Sequence, residues 1–223
     1  MQKLADTLPT FRKPDFTPEQ WAENDRRVSE WEAEQEAKKR AERFLRSGIP
    51  RLFGAASVSL CDERVAAYAS GDLGNGLLLQ GTFGAGKTYA ACAVLNHLID
   101  SKSVRFVLMD DLLRECKATF NGYETEEAVV NRYANTGVLC IDDLGKERLT
   151  EWSLPILFSI INRRYECGKP TIITTNYRGT ELLESMTVNG DSTTAKAIIS
   201  RMSTFNRIVL ESDDRRVASS GVR

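Results

Sequence analysis

The sequence predicts an α/β fold: a parallel sheet with helices on both faces, preceded by a helical extension. Three observations lead there. Short apolar runs alternate with helical stretches from residue 77 onward, the pattern of a sheet whose crossovers cover both faces. A glycine-rich loop, Gly81-Thr82-Phe83-Gly84-Ala85-Gly86-Lys87-Thr88, lies between the first apolar run and a helical stretch. Ahead of both, residues 19–47 are rich in Glu, Ala, Lys and Arg and contain neither glycine nor proline, which favours an uninterrupted helix.

Taken in order, residues 1–16 hold Pro9 and Pro14 and read as an irregular arm. Thr17-Pro18-Glu19-Gln20 is a helix start: Thr17 can cap, Pro18 sits where a missing N–H does no harm, and Gln20 can reach back. Acidic residues crowd the first part of this helix, and Lys38, Lys39, Arg40, Arg43 and Arg46 its end, an order that complements the helix dipole. Its apolar positions, among them Trp21, Val28, Trp31, Ala37 and Phe44, form a stripe too narrow for a core of its own. Such a stripe has two readings, a solvated surface helix or a helix that docks a partner through its tryptophans. Gly48-Ile49-Pro50 ends it, dividing the chain into a region at 1–47 and a main domain at 48–223. Strands are expected at 77–80, 104–109, 138–142, 171–175 and 207–210, with helices near 87–99, 110–118, 125–134, 152–167 and 194–203.

Composition narrows the function. With 42% hydrophobic and 27% charged residues, the chain is an ordinary soluble type. No apolar run is long enough to span a bilayer, and the N-terminus lacks the apolar core of a leader peptide, so the expected compartment is the cytoplasm, with no membrane partner. The five cysteines stand singly and His97 is the sole histidine, which argues against zinc, a disulfide framework or a histidine nucleophile. A formal net charge of −1 means that any nucleic acid must be met by a local basic strip.

The glycine loop carries the most specific chemistry. Its glycines let backbone N–H groups turn inward on an anion, and the following helix adds partial positive charge. Lys87 would reach the β- and γ-phosphates of ATP, and the Thr88 hydroxyl would ligate Mg²⁺. The run VLCIDDLG at 138–145 ends an apolar strand in two carboxylates. Asp142 is expected to hold the metal shell, and Asp143 to orient or activate the attacking water. PTIITTN at 170–176 finishes on Asn176, a polar group suited to the same water or to the γ-phosphate.

With GTFGAGKT, VLCIDDLG and TIITTN in this order, the chain resembles the P-loop AAA+ ATPases of the ASCE class. More narrowly it resembles their DnaC/DnaI/IstB group of bacterial and phage helicase loaders and transposition helpers. IDDLGKERLTEW at 141–152, the helix INRRYE leading into KPTIITTN, and SRM at 200–202 carry the narrower likeness. The resemblance implies that Arg201 is an arginine finger completing the nucleotide site of a neighbouring subunit in a homo-oligomer. It also implies a late arginine facing the nucleotide, Arg215 or equally Arg216. The residues after Asn176 must supply a helix and the last strand, so no C-terminal helical lid is expected, as in that group. By the same resemblance the partners are a replicative DNA helicase and single-stranded DNA. The N-terminal region departs from the group, with no ligands for the zinc-binding domain that loaders such as DnaI carry there, and the helix at 17–46 with its tryptophans is the candidate element for meeting the helicase. Arg114, Lys117, Phe120, Tyr123 and Lys146 are candidate DNA contacts. The implied activity is helicase loading driven by ATP hydrolysis, with an IstB-type transposition helper as the alternative.

Overall fold

The structure, a computed structural model, describes residues 17–122 and 124–211. Of these, the residues up to Ala41 form one compact unit and those from Glu42 to Glu211 a second.

The first unit is helical. Helix α1 spans Pro18–Ser47, and its start closes as expected. The Thr17 N–H donates to Gln20 Oε1 at 2.9 Å, and the Gln20 N–H to Thr17 Oγ1 at 3.3 Å. Charged pairs such as Glu34–Lys38, 2.8 Å apart, lie along it, and Trp21 and Trp31 are exposed. The last residues of α1 belong to the second unit, where Phe44 packs on the core and Ser47 is buried.

The second unit is built on five parallel strands, β1 (Gly76–Gln80), β2 (Val104–Leu108), β3 (Val138–Asp142), β4 (Thr171–Thr175) and β5 (Asn206–Val209), ordered β2-β3-β4-β1-β5. All five match expected apolar runs. The three central strands are buried along their whole length, whereas the edge strands β2 and β5 have exposed positions. Helices α2 (Glu63–Ser70), α3 (Lys87–Leu98), α4 (Met109–Ala118), α5 (Glu126–Asn135), α6 (Ser153–Glu166), α7 (Thr180–Met186) and α8 (Thr193–Met202) cover the faces. Successive strand residues point to opposite sides. Leu77, Leu79, Cys140 and Ile172 meet α2 and α3, while Leu78, Ile141 and Ile173 meet α4 to α8. Each fully buried leucine or isoleucine contributes about 1.5–3 kcal/mol. The run Ala90–Leu95 of α3 is buried throughout, and its small side chains let the helix lie close to the sheet.

Helices α2 and α7 lie outside the expected set, as do two short 3₁₀ turns at Arg51–Phe53 and Val58–Leu60. Among the described residues, only Leu210 and Glu211 come after β5, with no helical lid. No described helix is long and apolar enough to cross a membrane.

Candidate functional site

At the C-terminal edge of the sheet, β1 runs directly into the glycine loop. Two glycines there are geometric requirements. Gly81 sits at φ 156°, and a Cβ on it would lie 2.3 Å from the Leu210 carbonyl oxygen. Gly86 caps α3 at φ 86°, in the left-handed region that side chains disfavour. The loop thereby delivers the N-terminus of α3, the positive end of the helix dipole, to the cavity. Lys87, the first residue of α3, is buried, and its ammonium donates to the carbonyls of Gly81 at 3.0 Å and Thr82 at 2.8 Å. Those bonds hold the side chain along the loop that it would help to grip a phosphate.

Thr88, one residue on, faces Asp142 at the end of β3. Its hydroxyl lies 3.0 Å from Oδ2 and 3.2 Å from Oδ1. Asp142 is buried, and burial raises its carboxyl above the ordinary value of 3.8, reinforced by the neighbouring Asp143. Hydrogen bonds from Thr174 and Thr88 and the charge of Lys87 work in the opposite direction. A divalent cation would add positive charge to offset the burial of this carboxylate, so the donor set fits Mg²⁺. Among the described residues no group of three His, Cys, Asp or Glu forms a closed metal cage. An ion here would therefore take Thr88 and Asp142 together with phosphate and water oxygens, the Mg²⁺ pattern.

Asp143 turns the chain sharply at φ 59°, and its carboxylate stands 3.9 Å from the Lys146 ammonium. Asn176, just beyond β4, has its Oδ1 buried without a hydrogen-bond partner. Buried polar atoms without partners are rare, and this one belongs to a residue that lines the same cavity as Lys87, Thr88 and Asp143. The cavity measures about 700 Å³. Beside Lys146, the rest of its wall is largely apolar, made by Leu52, Phe53, Leu60 and Tyr89, with Phe83 exposed at the loop. A polar end with phosphate-binding geometry and an apolar end with aromatic rings suit a nucleoside triphosphate.

The expected residues thus divide. The structure brings together the loop from Gly81 to Thr88, Asp142, Asp143 and Asn176. Arg201, on α8, does not line the cavity. Its guanidinium donates to Asn162 Oδ1 at 2.6 Å and to the Ala197 carbonyl at 2.9 Å, and lies 4.8 Å from the centre of the Phe158 ring. Arg215 and Arg216 lie outside the described residues.

The candidate DNA strip is not a row of unpaired cations. Arg114 pairs with Asp110 and Asp111, and Lys117 lies 5.5 Å over the Trp152 ring. Phe120 is exposed, 5.8 Å from that same ring, and the Trp152 N–H donates to Glu126. Tyr123 lies outside the described residues. Lys146 belongs to the nucleotide cavity.

Sequence reasoning missed two parts of the site. Thr174, within TIITT, reads as a β-branched strand residue, yet its hydroxyl donates to Asp142 Oδ1 at 2.6 Å. The apolar wall comes from the turns at 51–53 and 58–60, where the signal was a hydrophobic residue at each turn rather than a periodic pattern. The Tyr89 hydroxyl ties these turns to α3 by accepting from the Ser57 N–H at 3.3 Å.

Comparison with known proteins places this geometry among relatives. A family model described as IstB-like ATP binding protein matches residues 63–217. The replicative helicase loader DnaC of Escherichia coli strain K12 is 30% identical over 196 residues, covering 79% of this chain and 80% of that protein. The replicative helicase loader DnaI of Bacillus subtilis strain 168 is 31% identical over 123 residues, covering 54% of this chain and 39% of that protein. Among solved structures, a crystal structure of DnaI aligns with a TM-score of 0.63 at 24% identity, covering 75% of this chain and 94% of that one. A crystal structure of the DnaC helicase loader aligns with a TM-score of 0.60 at 24% identity, covering 73% and 100%.

Proposed function

The chain belongs to the IstB-like ATP-binding family and has the AAA+ fold of its helicase-loader relatives, and from that premise we propose that it is an ATP-hydrolysing loader of a replicative DNA helicase. In this reading the loop from Gly81 to Gly86 wraps the phosphates and Lys87 turns from the loop carbonyls to the β- and γ-phosphates. Thr88 and Asp142 would hold Mg²⁺, whose chemistry would be to neutralise charge on the phosphates. Asp143 orients the attacking water and accepts its proton, while the Asn176 amide fixes that water or the γ-phosphate. Arg201 acts on the nucleotide of a neighbouring copy, so turnover requires assembly. The α1 helix meets the helicase through Trp21 and Trp31, and the ATPase unit meets single-stranded DNA. Arg215 or Arg216 adds a further contact to the nucleotide.

The observation that carries the hydrolytic part is the convergence of Lys87, Thr88, Asp143 and Asn176 on one cavity, with Asp142 hydrogen-bonded behind Thr88. The loader part rests on the relationship to DnaC across most of both chains. Two assays test the reading. ATP turnover measured against protein concentration should rise per molecule as copies associate, and should be lost in Lys87→Ala and in Arg201→Ala. A monomer whose turnover ignores Arg201 would contradict it. Capture of the host replicative helicase under ATP should be weakened by Trp21→Ala with Trp31→Ala. No capture by the wild-type chain would favour the transposition-helper alternative.

A further inference from the structure

Strands β3 and β4 separate at the site. Their ladder pairs Leu139, Cys140 and Ile141 with Thr171, Ile172 and Ile173. It goes no further, because Asp143 enters the left-handed region at φ 59°, a conformation that Asp adopts more readily than most residues and that turns the chain out of the strand. Something must then take up the N–H groups that leave the ladder. Thr174 does so with its side chain and main chain together. Its Oγ1 accepts from the Asp143 N–H at 2.9 Å, and its carbonyl accepts from the Leu144 N–H at 2.9 Å. Thr175 adds a third tie, its hydroxyl donating to the Leu144 carbonyl at 2.7 Å.

The Thr174 hydroxyl has a second role in the same place. Its proton goes to Asp142 Oδ1 at 2.6 Å, while the Thr88 hydroxyl lies nearer to Oδ2, at 3.0 Å. One carboxylate is therefore held between two hydroxyls from different elements. The terminal torsion of an aspartate is broad, so without the Thr174 donor nothing on the β4 side sets the carboxylate plane. Thr174 is fully buried, which leaves no room for solvent to replace it. Its β-branched side chain is stiff at χ1, and the strand around it is buried on both faces.

We propose that Thr174 is the positioning residue of the site's acidic end. A single hydroxyl sets the plane of Asp142 for the metal and fixes the backbone turn that aims Asp143 into the cavity. Because Asn176 comes two residues later on the same segment, all three polar groups share one rigid mount. The inference rests on the proposed metal-holding role of Asp142, and the experiment separates the two.

Binding of a fluorescent ATP analogue is titrated with Mg²⁺, alongside ATP turnover, in wild type, Thr174→Ser, Thr174→Val and Asp142→Asn. Valine keeps the shape of threonine and removes both hydrogen bonds, whereas serine keeps them. Thr174→Val should raise the half-saturating Mg²⁺ about tenfold and slow turnover, as loss of an outer-shell partner does. Thr174→Ser should stay within about twofold of wild type on the same scale. Wild-type Mg²⁺ dependence in Thr174→Val, or equal defects in Val and Ser, would overturn the inference. If Asp142→Asn shifts the Mg²⁺ dependence and Thr174→Val does not, only the role of Thr174 fails. If Asp142→Asn leaves it unchanged, the metal reading and this inference fall together. Should Thr174→Val not yield folded protein, Thr174→Ala decides in its place: a Val-like shift supports the role, and wild-type dependence overturns it.

Discussion

At the phosphate end of the cavity, polar groups are tied to one another within the chain. Thr88 and Thr174 hold Asp142, the loop carbonyls hold Lys87, and the Asp143 backbone is pinned to β4. On the α6–α8 face, Arg201 is tied to Asn162 and stacked on Phe158, away from the residues that line the cavity. Both regions hold their chemistry in fixed geometry, but only the first aims it at a cavity of its own. Rigidity is therefore not confined to the cavity: in the proposed reading, the bracing of Arg201 on Asn162 and Phe158 holds it ready for the nucleotide of a second copy.

The largest effect that could break the comparison is at Arg201. Arg201→Ala should lower turnover of the assembled protein by about 10³-fold, the scale of a lost arginine finger, with nucleotide affinity nearly unchanged by equilibrium titration. A parallel loss of affinity would place Arg201 in its own chain's site. At the cavity end, Lys87→Ala should cost about 10²-fold in turnover and should also weaken nucleotide binding, so that the two arginine and lysine variants separate in the binding assay. Asn162→Ala sharpens the second region: it leaves Arg201 present but unbraced, and turnover should fall by about tenfold while the single-site affinity holds.

The smallest effect is on stability. Burial, then the neighbouring Asp143, raises the Asp142 carboxyl above 3.8. A raised carboxyl favours folding fully below that value and loses the contribution as pH climbs through the folded-state pKa. Asp142→Asn, neutral throughout, should therefore raise the Tm by about 2–4 °C at pH 7. The advantage should shrink as the pH falls toward 3.8, the ordinary carboxyl value. Thermal unfolding at several pH values without nucleotide checks it.

Much of the molecule was legible in the sequence because the site sits where local rules are strict. The phosphate loop needs glycine at positive φ, and buried central strands need unbroken apolar runs, so β1, β3 and β4 and the residues at their ends announced themselves. Helix α2 was not legible, since only Val65, Tyr68 and Ala69 of it are buried, too few for a periodic signal. The same holds for α7, with Leu182 and Met186. Arg164 carries no signal of its place in INRRYE: it is fully buried and donates to the carbonyls of Tyr133, Thr136 and Pro170, among others, gathering the end of α5 and the start of β4. Thr174 was invisible for a third reason. Strand propensity and hydroxyl chemistry coincide in threonine, and only the separation of β3 from β4 distinguishes them.

In the proposed assembly the nucleotide cavity is one half of a site whose other half is carried on α8 of a second copy. Mixing Lys87→Ala protein with Arg201→Ala protein tests it most directly, because each variant supplies what the other lacks. Random association should restore about a quarter of wild-type turnover, the share of head-to-tail interfaces that join an intact loop to an intact arginine. Turnover that stays at the sum of the two separate variants would contradict the claim.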